Sequence, residues 1–201
     1  EFAARLAEES AVLLKNEGDM LPLAKGEPLA VLGNFVKTQH RQGQGSSYVR
    51  PTAEEDLLAL LAAANGGHIR YADGFDDSGA TDEQIAEAVR AAKDCGRVLV
   101  FVGLPAGAES ENFDRKHLRL PDAQLRVLDA VLAACDRVCV VVTAGAPVEL
   151  PFASRAAAIF CTYLCGQTYA SAAVRQLFGE VNPSGKLAET WPLRLADTPA
   201  Y

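Results

Sequence analysis

Apolar residues along this chain fall into two kinds of stretch that alternate from end to end. Phe2, Leu6, Ser10, Leu13 and Leu14 recur at helical spacing and give way to Asn16, Glu17 and Gly18, which predicts a first helix closed by a left-handed glycine cap. Leu29 to Leu32 is a short apolar run ending at Gly33, followed by a polar loop through Val49, Arg50 and Pro51. A helix is expected from near Thr52, with Leu57, Leu58, Leu60 and Leu61 on its buried face and Asn65, Gly66 and Gly67 ending it. Ile69 to Ala72 reads as a weaker strand, and Thr81 with acidic Asp82 and Glu83 opens a helix to about Cys95.

Val98 to Leu104, Val138 to Thr143 and Ala158 to Leu164 are β-branched or aromatic at most positions and do not alternate with polar residues. That is the mark of strands covered on both faces. Helices are expected from Pro121 to about Ala134 and from about Ala170 to Phe178. Buried strands separated by helices predict a doubly wound α/β sandwich, with a mainly parallel sheet and helices on both faces. Ligands of such sheets sit at the carboxyl ends of the strands, which directs attention to the loops after Gly33, Gly103 and Ala144.

With 201 residues and 49% hydrophobic composition, one domain spanning 1–201 is the simplest organisation. The chain begins inside a helical pattern and stops at Asp197, Thr198, Pro199, Ala200, Tyr201 without a closing element, so it is expected to be excised from a larger protein. A net charge of −7 without a basic cluster gives no electrostatic footprint for nucleic acid. No apolar run of membrane-spanning length occurs, so no membrane partner is expected. The five cysteines form neither an even set nor paired CxxC motifs and lie mostly in apolar runs. They read as buried free thiols, which favours a reducing, cytoplasmic setting, and neither a metal nor a cofactor is called for.

The loop after the third strand carries the densest chemistry. Between Pro105 and Pro121 it places Glu109, Glu111 and Asp114 close together, followed by Arg115, Lys116 and His117. A carboxyl serving as general acid needs its pKa raised by burial or by a neighbouring anion, and adjacent glutamates are one way to arrange that. A solvated acidic loop is the plainer reading of the same residues. In the loop after the first strand, RQGQGSSYVRP, Gly43 and Gly45 permit tight turns, and Ser46 and Ser47 could meet an anion or a sugar hydroxyl. It is not a dinucleotide fingerprint, because the third glycine is missing and a proline precedes the helix. Asn182, Pro183, Ser184 and Gly185 are explained by turn chemistry, Trp191 by core packing, and none of the three histidines is assigned a catalytic role.

Taken in order, AEESAVLLKNEGDMLPL, PLAVLGN, QGQGSSYVRPT, VLVFVGLPAGAESENFDRKHLRLPDAQ, VVVTAGAPVELPF, YLCGQ and LFGEVNPSGKLAETWP resemble the second domain of glycoside hydrolase family 3 over nearly the whole chain. The resemblance implies part of a retaining, β-glucosidase-like hydrolase of terminal β-linked sugars. Its nucleophilic Asp would lie on an N-terminal barrel, with the acid/base Glu on the second domain. Carried over by position, the second Glu of the ESEG-x-DR motif is Glu111, the acid/base candidate, with Glu109 as alternate. The residues that bind the sugar are not identified. The implied partners are the barrel of the same parent chain and a carbohydrate. Two departures stand out: Asn112 replaces the usual Gly, and GQTYASA, from Gly166 to Ala172, is poorer in glycine than usual. Two other readings compete, a non-catalytic carbohydrate-binding or interdomain scaffold and a free-standing flavodoxin-like ligand-binding domain.

Overall fold

The computed structural model describes residues 1–38 and 40–199; Gln39, Ala200 and Tyr201 lie outside the described residues. Six strands form one sheet: β1 (Val12–Asn16), β2 (Leu29–Leu32), β3 (Ile69–Ala72), β4 (Val98–Gly103), β5 (Val138–Thr143) and β6 (Ala158–Cys161), in the order β1-β6-β5-β4-β2-β3. All neighbours are parallel except β1, which runs antiparallel to β6. The helices are α1 (Phe2–Ser10), α2 (Leu57–Ala64), α3 (Asp82–Cys95), α4 (Asp122–Leu132) and α5 (Tyr169–Leu177). The expected doubly wound α/β sandwich is the observed architecture.

Successive side chains of the central strands enter opposite cores. Val98, Val100 and Val102 of β4 pack with Val138, Val140 and Val142 of β5 beneath α3 and α4, whereas Leu99, Phe101, Cys139 and Val141 face α2 and α5. Burial on both faces is why these strands show no polar alternation. From β2 the chain crosses through α2 to β3 on one side, then returns through α3 to β4 on the other. Right-handed crossovers in opposite directions put their helices on opposite faces, and the order reverses between β2 and β4.

The predicted first helix is corrected at its second half. It stops at Ser10, and Ala11 turns to extended backbone at φ −69° and ψ 142°. Leu13 and Leu14, counted above as helical, belong to strand β1, with a bulge between Leu13 and Lys15. Their apolar side chains are satisfied equally by a helix face or a strand, and the open edge of β6 decides in favour of the ladder. A second contact enforces the break: Gly185 donates its N–H to the Ala11 carbonyl at 3.1 Å, and a Cβ there would lie 2.5 Å from the Ser10 carbonyl oxygen. The Asn-Pro-Ser-Gly segment is therefore more than a turn, because its glycine closes over the junction of α1 and β1.

Helix α2 begins at Leu57 instead of near Thr52. Asp56 caps it by accepting the Ala59 N–H at 3.0 Å, while Thr52 N–H and Oγ1 donate to Gln167 Oε1 and Glu55 accepts the Ser171 N–H. Thr52 and Glu55 are thus engaged by residues at and just before the start of α5, and the segment stays outside the helix. Strand β6 ends at Cys161 because Tyr163 sits at φ 53°, outside any strand conformation. Helix α3 starts as expected, with Thr81 and Gln84 forming a reciprocal capping box, and ends on left-handed Gly96. The glycine-poor stretch at 166–172 still packs: Tyr169 is buried and its hydroxyl meets Thr143 Oγ1 at 3.2 Å.

One buried side chain ties α4 to the edge from which the acidic loop departs. Gln124 is 3% exposed, accepts the Gly103 N–H and donates to the Gly103 carbonyl, each at 3.0 Å. Gln124→Leu keeps the volume but leaves both backbone groups unpaired in the core. The expected loss is about 2 kcal/mol of unfolding free energy, seen in urea denaturation as a lower midpoint with an unchanged slope.

Candidate active site

The polar loops after β2 and β4 leave the sheet on either side of the point where its order reverses, and they pair with one another. Gln44 forms an isolated parallel bridge with Ser110, in which Gln44 N donates to the Glu109 carbonyl at 3.1 Å and Glu111 N donates to the Gln44 carbonyl at 3.4 Å. The backbone is therefore fixed immediately before and after Ser110. Glu109 and Glu111, one residue to either side, point in different directions.

Glu109 turns inward. Its Oε2 accepts from Nε2 of His40 at 3.1 Å and its Oε1 accepts the Gly145 N–H at 2.7 Å; the side chains of His40 and Glu109 are 4% and 10% exposed. Both oxygens are committed within the fold, and the carboxylate joins the loops after β2, β4 and β5.

Glu111 turns outward and is exposed. Its Oε2 accepts both the N–H of Ser46, at 2.9 Å, and the Ser46 hydroxyl in a short hydrogen bond. These two bonds, the hydroxyl's first, hold the Glu111 carboxyl below its ordinary pKa. A depressed folded-state value means that this contact favours the folded chain above the pKa of a free glutamate. The contribution fades as pH falls through the folded value. Gly45 makes the arrangement possible: it lies at φ 83°, and a Cβ there would sit 2.7 Å from Cβ of Glu111.

The remaining residues singled out in the sequence divide between frame and surface. Asn112 adopts φ 68°, so the turn expected of the usual glycine survives the substitution. Arg115 donates Nη2–H to the Pro147 carbonyl at 3.0 Å and braces the loop, while Asp114, Lys116 and His117 are exposed. Ser47 donates to the Gln44 carbonyl within its own turn. Trp191 packs partly against the core and edge-on to Tyr163, with ring centroids 6.4 Å apart. A cleft of about 620 Å³ opens between the loops, walled in part by Phe35, Tyr48 and Phe75. Several of its polar walls are already engaged: Gln42 with the Val49 backbone, Arg41 with Glu54, and His40 with Glu109.

His40 is the participant that sequence reasoning missed. It lies 69 positions from Glu109, in a loop whose visible signals were glycine and serine, and nothing local marks it. All five cysteines are free. Burial pushes the Cys161 thiol up to about 12 and that of Cys165 to about 11, as expected of inert structural thiols. Among the described residues no group of three or more His, Cys, Asp or Glu is placed to hold a metal ion, and no helix is long and apolar enough to cross a membrane.

The profile of the "Glycosyl hydrolase family 3 C-terminal domain" matches residues 11–201. Thermostable beta-glucosidase B of Acetivibrio thermocellus is 42% identical over 204 residues, covering 100% of this chain and 27% of that protein. An exo-α-(1→6)-L-arabinopyranosidase of Bifidobacterium breve is 40% identical, with 100% of this chain and 28% of that protein covered. The crystal structure of the Bifidobacterium adolescentis GH3 beta-glucosidase superposes with a TM-score of 0.92 at 42% identity, over 98% of this chain and 29% of that one. The chain belongs to glycosyl hydrolase family 3, as its C-terminal domain, and spans somewhat more than a quarter of the length of these relatives.

The two glutamates should separate cleanly in stability measurements. Glu109→Ala leaves buried His40 without its carboxylate partner and the Gly145 N–H without its acceptor, and is expected to lower unfolding free energy by about 2 kcal/mol. Glu111→Gln, at an exposed position, should leave the thermal midpoint nearly unchanged. Calorimetry on both variants checks the pair.

Proposed function

We propose that this domain supplies the acid/base carboxyl, Glu111, and part of the sugar site of a retaining, β-glucosidase-like glycoside hydrolase acting on terminal β-linked sugars. The nucleophilic Asp lies on an N-terminal barrel of the same parent chain. The observation that carries this reading is the division between the glutamates. Glu109 spends both oxygens inside the fold, whereas Glu111 stands at the outer face of the loop with its carboxylate held but accessible. Family membership and beta-glucosidase relatives support it.

A retaining mechanism needs the two carboxyls about 5 to 5.5 Å apart on opposite faces of the glycosidic bond. Glu111 would protonate the departing oxygen as the nucleophile attacks, then accept a proton from the water that releases the sugar. Exposed Tyr48, Val49 and Phe113 lie on the same two loops and form the apolar rim against which the barrel would seat. Seating it removes water from Glu111, and desolvation raises a carboxyl pKa toward the range an acid requires. One observation favours the alternative of a non-catalytic scaffold: in this domain Ser46 keeps Glu111 on the ionised side, the opposite of what an acid needs by itself.

Kinetics of the full-length protein separate these readings. Glu111→Ala should slow alkyl glucosides, whose leaving groups need a proton, by about 10³-fold, and activated aryl glucosides far less. Azide should restore part of the aryl rate by attacking the glycosyl intermediate without general-base help. Equal losses on both substrates, with no azide effect, would point to the scaffold.

A further inference from the structure

We propose that Ser46 is a positioning residue for the acid/base: it claims Oε2 of Glu111 with two hydrogen bonds and leaves Oε1 as the oxygen that carries the transferred proton. The inference rests on the assignment of Glu111 above and extends it to the loop after β2.

The geometry leaves little choice of oxygen. The N–H and the hydroxyl of Ser46 converge on Oε2, and among the described residues Oε1 has no hydrogen-bond donor. An oxygen that already accepts two hydrogen bonds is a poor site for a proton, so protonation falls on the other. The donor cannot drift, because the Gln44–Ser110 bridge locks the two loops in register and Gly45 brings its backbone against Glu111 Cβ. The Gly-Ser of the loop after β2 is thus a template for one carboxylate, not an anion site of its own.

The same bonds give the residue a measurable role. Other charged groups on these loops are engaged elsewhere: Glu109 with His40, Arg41 with Glu54, Arg115 with the Pro147 carbonyl. Exposed Asp114, Lys116 and His117 lie on the loop of Glu111 itself, exposed Arg50 and Tyr48 lie on the facing loop, and among the described residues no ion pair reaches Glu111. Ser46 therefore dominates the local control of that carboxyl. Its bonds favour the ionised form, so their loss extends the protonated, acid-competent form to higher pH.

The test uses the full-length protein and pH profiles of kcat/KM. Ser46→Ala removes the hydroxyl bond and keeps the backbone one, so it should move the alkaline limb upward and, with the carboxylate held by one bond instead of two, lower kcat on alkyl glucosides about tenfold while sparing activated aryl glucosides. Ser46→Thr, which keeps the hydroxyl, should restore both. Ser46 is exposed, so equal thermal midpoints are expected and are checked alongside. Glu111→Ala with azide is run in parallel. If azide rescues Glu111→Ala but Ser46→Ala shifts neither the limb nor the leaving-group dependence, the positioning role is wrong and the acid/base assignment stands. If Glu111→Ala shows no leaving-group dependence, the assignment itself fails and the role of Ser46 goes with it.

Discussion

A single inward-facing carboxylate holds the functional edge of this domain together. Glu109 reaches back from the loop after β4, accepts from His40 in the loop after β2 and accepts the Gly145 N–H after β5. A doubly wound sheet leaves a crevice where its strand order reverses, and loops entering it have no ladder to keep them in place. Here the crevice is bridged by hydrogen bonds to a carboxylate, and the one from buried His40 is shielded from solvent, where such a bond is stronger than at the surface. The Gln44–Ser110 bridge and the outward aim of Glu111 follow from loops fixed in this way.

The acidic motif therefore contains two glutamates of different kinds. Two carboxyls separated by one residue suggest at first a like-charge pair that raises one pKa. The backbone turns them apart instead, and each finds its own donors: His40 and Gly145 for one, Ser46 for the other. Glu111 is consequently held toward its ionised form by hydrogen bonding, and like-charge repulsion plays no part in its environment. Whatever raises it for acid catalysis has to come from outside these loops. In the proposed enzyme that task falls to desolvation by the barrel, so that the acid is competent only when the domains are docked.

The framework around the loops is built to transmit position. Gln124 fastens α4 to the last residue of β4, Arg115 braces the acidic loop against Pro147, and Thr52 and Glu55 anchor the segment before α2 to the start of α5. Each contact uses a polar side chain at or near the sheet's carboxyl edge, while the apolar work is done below it by the two cores. Rigidity at that edge serves a site whose second carboxyl would arrive on another domain.

Much of this was legible in the chain itself. Unbroken β-branched runs at Val98 and Val138 identified central strands, because burial on both faces removes polar alternation. Thr81 and Gly96 marked the ends of α3, since capping is local chemistry. The order of motifs identified the family, and the position of Glu111 within its motif selected it over Glu109. Tertiary structure decided what local pattern left degenerate. Leu13 and Leu14 satisfy a helix face and a strand equally, and only the free edge of β6, with Gly185 closing over Ala11, made them β1. Asp56 displaced Thr52 as the start of α2 because Gln167 engages Thr52 from 115 positions away. His40 gave no local signal, and its partner became visible only when the sheet brought 40, 109 and 145 together. Periodicity and caps are set by neighbours within a few residues, whereas a buried hydrogen-bond partner is set by the fold, which no window along the sequence contains.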